Sequence, residues 1–427
     1  MSSVRVRIFL PYSLGLFLLS AGGIFNQCAN ATTPVDAIAI SRDGPKVSIS
    51  FNGTLQWTDA VTGPWKDAVN KTSPFTEDST DSKRFYRSVD TGSIFSSASV
   101  VELTLTAPFQ RNFNLAFAGS PDGIFPPVRV KPYFDGMLSQ GTNELPVSLR
   151  VRGNSSLQEC PFPKLKFKVS KERRVGTPFF DAREIKIGTH CAEGGRGNIG
   201  RLREEAATYR EALAYEVMEL LGFVGPRVRR ARIEYNDTTP IDFTSEVGWR
   251  LTRSAMLIDD VDVLAERLGG HALTDAELAA LTDPKFDPQL VSDLQFLHAL
   301  LGNWDYGINV ENRGLWNTDV VSFQDGVLLP VAGDFDLSSW VTAVVRISAP
   351  RDYLPELPEV DRQVRYELEL IQKRVSDIQF AASRTRFISK QAALQSQINT
   401  SLVDTDGRTN ALRHTAAFFE ALALIGR

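Results

Sequence analysis

Three lysines alternate in the run FPKLKFKV: Lys164, Lys166 and Lys168, separated by Leu165 and Phe167 and followed by Val169. At a two-residue period the charges share one face of a strand and the apolar side chains the other. Immediately upstream stands LRVRGNSS, in which Arg152, Gly153, Asn154 and Ser155 have the make-up of a loop. A polar backbone loop beside a row of ammonium groups is suited to holding an anion. The structural alternative is an edge strand that carries lysine to resist pairing with other chains.

A second set of candidate residues lies further along. The loop GNWDYGINVEN places Asp305 and Asn309 four residues apart, and after VVSF, an Asp325-Gly326 turn and VLLPVAG the chain reaches Asp334-Phe335-Asp336. An aspartate that orients a nucleophile, an amide and further carboxylates as oxygen ligands for magnesium, and a cationic strand for phosphates are the parts that phosphoryl transfer requires. Each motif alone has a plain alternative. Loops are rich in Asp and Asn, and Asp336 could cap a helix beginning at LSSW. The order of loop, lysine strand, helix, acidic loop, hairpin and acidic turn is more specific than any one of them.

The elements that must carry these residues can be outlined. VVELTLTAPF, FNLAFAG, VRVKPYFDG and LPVSLRVRG read as strands between 99 and about 153. RLREEAATYREALAYEVMELLGF has apolar positions at 202, 206, 209, 213, 217 and 220, the spacing of an amphipathic helix that stops at Gly222. RVRRARIEY and GWRLTRSAMLI return to strand. DPQLVSDLQFLHALLGN then opens with Asp287-Pro288 and closes at Gly302, a second helix. Residues 360–427 read as mainly helical. Ahead of all this, residues 47–90 form a short β-rich stretch with Asn52-Gly53 and Gly63-Pro64 turns and aromatic anchors at Trp57, Trp65, Phe85 and Tyr86, similar to a small module of some bacterial surface proteins. A linker follows at 91–98. The class expected is α+β, strands preceding helices.

The chain of 427 residues is 43% hydrophobic and 23% charged, the profile of a folded protein of two or three domains. A net charge of -4 offers no general attraction to nucleic acid or anionic membrane. The first residues, MSSVRVR followed by an apolar run and Ala29-Asn30-Ala31, read as an export signal over 1–31 cleaved after Ala31, leaving no membrane span. Cleavage would remove Cys28 and leave Cys160 and Cys191, which in an exported chain read as one disulfide, with two buried thiols as the alternative.

From about 147 to 345 the chain resembles the spore coat protein H kinase-like family of secreted atypical kinases, through LRVRGNSS with FPKLKFKV, YREALAYEVMELLG, GNWDYGIN and GDFDLSSW. The resemblance implies an atypical protein-kinase-like two-lobed fold over 99–427, a β-rich lobe to about 255 and a helical lobe from about 256, preceded by the small β module. It implies ATP and Mg2+ as cofactors and a secreted or envelope protein as substrate, with no nucleic acid. Arg152, Gly153, Asn154 and Ser155 would hold phosphates, and Lys166, with Lys164 as the rival, would bind the nucleotide. Asp305 would be catalytic; Asn309, Asp334 and Asp336 would face the metal. A helical glutamate would pair the lysine, Glu211 by alignment or Glu205 by periodicity. Tyr306 departs from the basic residue that often follows the family's catalytic Asp. A non-catalytic surface protein that kept the same fold for binding is the competing reading, and a glycosidase or nuclease fits fewer of these residues.

Overall fold

The computed structural model describes residues 39–43, 46–50, 54–58, 66–67, 75–78, 85–89, 92–117, 131–141, 143–153, 157, 160, 162–174, 177–191, 204–240, 248–280, 286–308, 315–345 and 349–425. The export signal, Asn154, Ser155 and Asn309 lie outside them. The chain divides into two compact units, one holding the described residues up to Ser97 with Val169–Arg183, the other Ala98–Lys168 with Glu184–Arg427.

The smaller unit contains two three-stranded sheets. Ala39–Asp43, Lys46–Ser50 and Phe75–Asp78 form one; Lys66–Asp67, Thr54–Thr58 and Phe85–Val89 form the other. Within the expected linker, Ile94 is fully buried and its amide donates to the Pro178 carbonyl at 2.6 Å.

The larger unit begins with β1 (Val101–Ala107), whose side chains alternate buried and open, as a strand with one face on a core must. Six more strands join it: β2 (Tyr133–Gln140), β3 (Asn143–Val151), β4 (Leu165–Lys168), β5 (Glu184–Thr189), β6 (Val228–Asp237) and β7 (Arg250–Asp259). Their hydrogen-bonded order is β4-β5-β7-β6-β1-β2-β3, and β3 pairs back onto β4, so the sheet closes as a barrel. All neighbours are antiparallel except β1 and β6, which run parallel. Leu103, Leu105, Leu149, Phe167, Ile185, Ile187, Ile233 and Leu257 are buried in alternating positions of these strands, the pattern by which a small barrel fills its interior with side chains.

This closure corrects the two-lobed, kinase-like expectation. The strands assigned to an open β-rich lobe instead satisfy both edges of their sheet by ring closure, and a helical region follows. A second difference is local. Of FNLAFAG, expected as a strand, the described residues Phe113–Phe117 belong to helix α1 (Phe109–Phe117). There Phe109 and Phe113 fall one turn apart, with ring centroids 5.7 Å from each other, and pack on Tyr235 and Phe162 respectively. A short apolar run fits either period, and packing decided it.

Helix α2 (Ala207–Leu220) follows the barrel strand β5 in sequence and is buried nearly all round, with Met218, Met256 and Ile258 in one core cluster. After β7 come α3 (Val261–Leu268) and α4 (Pro288–Leu301). The second begins as expected: the Asp287 carboxylate accepts from the Gln289 and Leu290 amides, Pro288 follows, and Gly302 closes the helix at φ 58°. The hairpin β8 (Thr318–Ser322) and β9 (Leu328–Ala332) turns at Asp325-Gly326, where Gly326 has φ 82°. Helices α5 (Glu359–Arg374), α6 (Asp377–Thr400) and α7 (Thr405–Leu424) complete the helical core around Phe296, Phe387 and Phe418. Among the described residues no helix is long and apolar enough to cross a membrane.

Candidate functional site: a charged knot beside an amphipathic cleft

Lys164 stands one residue ahead of β4, where the Arg152 amide donates to its carbonyl at 2.9 Å and extends the β3–β4 ladder. Gly153 follows with φ 90°, a conformation that favours glycine. The Lys164 side chain is nearly buried, and its ammonium donates to Asp336 Oδ2 at 2.6 Å and to Asp334 Oδ1 at 3.3 Å. Both aspartates arrive from the end of β9. Asp334 is held in the left-handed region, φ 53° and ψ 60°, and its amide donates to the Tyr215 hydroxyl at 2.9 Å. Tyr215 projects from α2 and packs edge-on against Phe335 at 4.8 Å. Glu211, one turn earlier on α2, is buried and near enough to act on Lys164 through its charge.

The other two lysines go elsewhere. Lys166 pairs with Glu184, and Lys168 reaches the same carboxylate at 3.1 Å while lying over the Tyr133 ring. Lys164, the rival choice, is therefore the lysine that meets Asp334 and Asp336. Glu205 accepts from the Ser254 amide and hydroxyl. The Asp305 amide donates to Asn303 Oδ1, and Asn317 Nδ2 donates to the Asp305 carboxylate at 2.9 Å and to its carbonyl at 2.8 Å. Tyr306 stacks flat on the buried His298 ring at 3.6 Å, which accounts for an aromatic residue at that position.

Burial opposes charge on Lys164, but Asp334, Asp336 and Glu211 outweigh it and hold its pKa above the ordinary lysine value. Lys164 in turn holds Asp334 below the usual carboxylate range. Burial, with Asp334 close by, pushes Asp336 up to about 6. For Glu211 burial is again the largest cause, the two aspartates add to it, and its carboxyl is pushed up to about 8. At neutral pH the knot therefore balances the Lys164 and Arg152 cations against two ionised aspartates, with Glu211 mainly protonated.

A cleft of about 280 Å³ opens beside this knot. Its lining mixes the cations Arg152 and Lys186, the carboxylates Asp259, Asp319 and Asp334, and Asn317 with the apolar side chains of Ile258, Leu264, Leu278 and Leu315. Arg152 Nε is buried without a hydrogen-bond partner, and the Asp334 side chain is 44% exposed. Lys186 is drawn toward Asp260 at 3.6 Å. Asn317, at φ 49°, joins the cleft wall to Asp305. Lys186, Tyr215 and Asn317 escaped the sequence reading. Only the register that sets Lys186 opposite Lys166 relates the first of them to the lysine run.

The disulfide is present: Cys160 and Cys191 are bonded with Cα atoms 4.6 Å apart. Neither a family model nor a curated protein matches the chain. The expectation of a magnesium-dependent kinase, or of an inactive protein retaining that fold, does not survive the structure. The barrel and helical region replace the expected lobes. Among the described residues no group of three or more His, Cys, Asp or Glu could hold a metal ion. The space between Asp334 and Asp336 is bridged by the Lys164 ammonium.

Proposed function

We propose that the protein is an exported binding protein whose cleft takes a compact small molecule joining an apolar part to an anionic group, with a nucleotide such as ATP as the first ligand to test. The observation that carries this reading is one cleft whose lining combines the cations Arg152 and Lys186 with apolar residues, the carboxylates Asp259, Asp319 and Asp334 leaving room for an anion only next to those cations. Ligand sites are mainly apolar concavities with a few placed polar groups, and this cleft is at the small end of their range, roughly 300 Å³. The unpartnered Arg152 Nε offers a donor for an anion. Asp334, whose backbone is fixed by Tyr215, lines the same space. Export is supported by the basic-then-apolar N-terminal sequence and by the disulfide, since such bonds persist in oxidising compartments.

Calorimetric titration of the oxidised protein with ATP, with and without magnesium, tests the proposal. Saturable binding that weakens at least ten-fold in Arg152→Ala and Lys186→Ala is expected. Absence of binding by ATP and by inorganic pyrophosphate, or binding indifferent to both substitutions, would overturn it.

A further inference from the structure

The charged residues lining the cleft are of both signs. Arg152 follows the end of β3, Lys186 lies within β5, and Asp334 follows the end of β9. After Lys164, the strongest influence on it, Asp334 is also acted on by the charges of Arg152 and Lys186, which help to keep its carboxyl ionised. Two cationic positions and one anionic position thus lie within electrostatic reach of one another, and aliphatic side chains complete the same lining.

The three carboxylates of the cleft are not equivalent. Asp259 is buried and held by Arg227 at 2.9 Å and Arg267 at 2.7 Å, so its charge is compensated within the protein. Asp319 is exposed on β8. Asp334 accepts from Lys164 at Oδ1 alone, at 3.3 Å, while that ammonium spends its shorter bond, 2.6 Å, on Asp336. The Asp334 side chain stays 44% exposed. Its amide is fixed by the Tyr215 hydroxyl with the backbone at φ 53°, so the fold sets the point from which this carboxylate projects.

A ligand that is only anionic leaves Asp334 beside it as an uncompensated like charge. One that is only cationic does the same with Arg152 and Lys186. A compact molecule carrying one group of each sign and an apolar side chain complements all three residues and the aliphatic lining. Resting on the reading of the cleft as a site for an apolar anion, we infer that its ligand is an apolar α-amino acid. Its carboxylate lies at Arg152 and Lys186, its ammonium at Asp334, and its side chain against Ile258, Leu264, Leu278 and Leu315. Hydrogen bonds between ionised partners are stronger than neutral ones, and a cleft of about 280 Å³ suits a ligand of this size.

Calorimetric titration of the oxidised protein with leucine, 4-methylpentanoate and 3-methylbutylamine tests the inference. The second compound lacks only the ammonium of leucine and the third only its carboxylate. Phenylalanine and 3-phenylpropanoate make a further pair for an aromatic side chain. At least one amino acid is expected to bind about ten-fold or more tightly than its deaminated partner, and leucine more tightly than 3-methylbutylamine. The advantage over the deaminated compound should vanish in Asp334→Asn and persist in Asp319→Asn. Equal affinity within both pairs overturns the inference, and that comparison needs only the wild type, so it stands even where Asp334→Asn does not fold. An advantage that survives in folded Asp334→Asn, or that is lost in Asp319→Asn instead, also overturns it. ATP titrated in parallel separates the two readings. ATP binding that depends on Arg152 and Lys186, with no advantage for the amino acids, defeats this inference and leaves the anion site standing. Absence of binding by ATP, pyrophosphate and both deaminated acids defeats the anion site itself.

Discussion

Among the residues of the lysine run, position relative to the strand matters more than charge. Lys164 lies just outside β4 and is the member that is buried, whereas Lys166 and Lys168 share Glu184. Lys164→Met leaves Asp334, Asp336 and Glu211 facing one another with their main cation gone. Removing one partner of a buried pair costs about 3–5 kcal/mol, and the openness of Asp334 puts the expected loss near the lower end. Lys166→Met should cost about 1 kcal/mol or less, because Lys168 still serves Glu184; denaturant unfolding of the two variants compares them. Glu211 gives a pH signature. Its folded pKa of about 8 lies above the ordinary carboxyl value, so between the two the folded chain keeps a proton that the unfolded chain has released. Its contribution is present at low pH and lost as pH rises through about 8. Melting temperature should fall from pH 5 to 8.5 in the wild type and fall less steeply in Glu211→Gln; equal slopes would refute this role. The sequence showed the lysines and the aspartates, but Lys164 and its two partners are separated by some 170 residues, and no local pattern could say which lysine they would meet.

Elements with local signals were legible. Helix α4 could be bounded from Asp287-Pro288 and Gly302 because caps act within one turn. Gly302 also has a tertiary reason: at φ 58° an added Cβ would lie 2.7 Å from the Ser339 side chain. Gly302→Ala is therefore expected to destabilise the protein by about 2 kcal/mol, from backbone strain together with the clash, measured as a lowered melting temperature. A fully stable variant would mean that Ser339 can retreat. Helix α2 is legible from its period and its Gly222 stop, yet two of its charged residues, Arg210 and Glu211, are buried as well. Arg210 is compensated by Asp404 and Glu204, and Glu211 by its raised pKa. Periodicity counts such residues as solvent-facing, so it assigned α2 one buried face where the structure has several. Helix α1 failed for the opposite reason, being too short for its period to be distinguished from a strand.

For the whole molecule, the strand inventory was largely visible and its closure was not. Alternation locates β1, β3 and β6, but which edges join depends on pairs distant in the chain. The resemblance supplied an open two-lobed arrangement for those strands, and ring closure displaced it. The parallel seam between β1 and β6 joins segments on the order of a hundred residues apart. Folding slows as native contacts span greater chain distances. During synthesis β1 can pair promptly with β2, but its other edge stays open until β6 has emerged. An open edge is a template for neighbouring chains. Until β6 arrives the ring stands unclosed, an exposure that the finished barrel no longer displays.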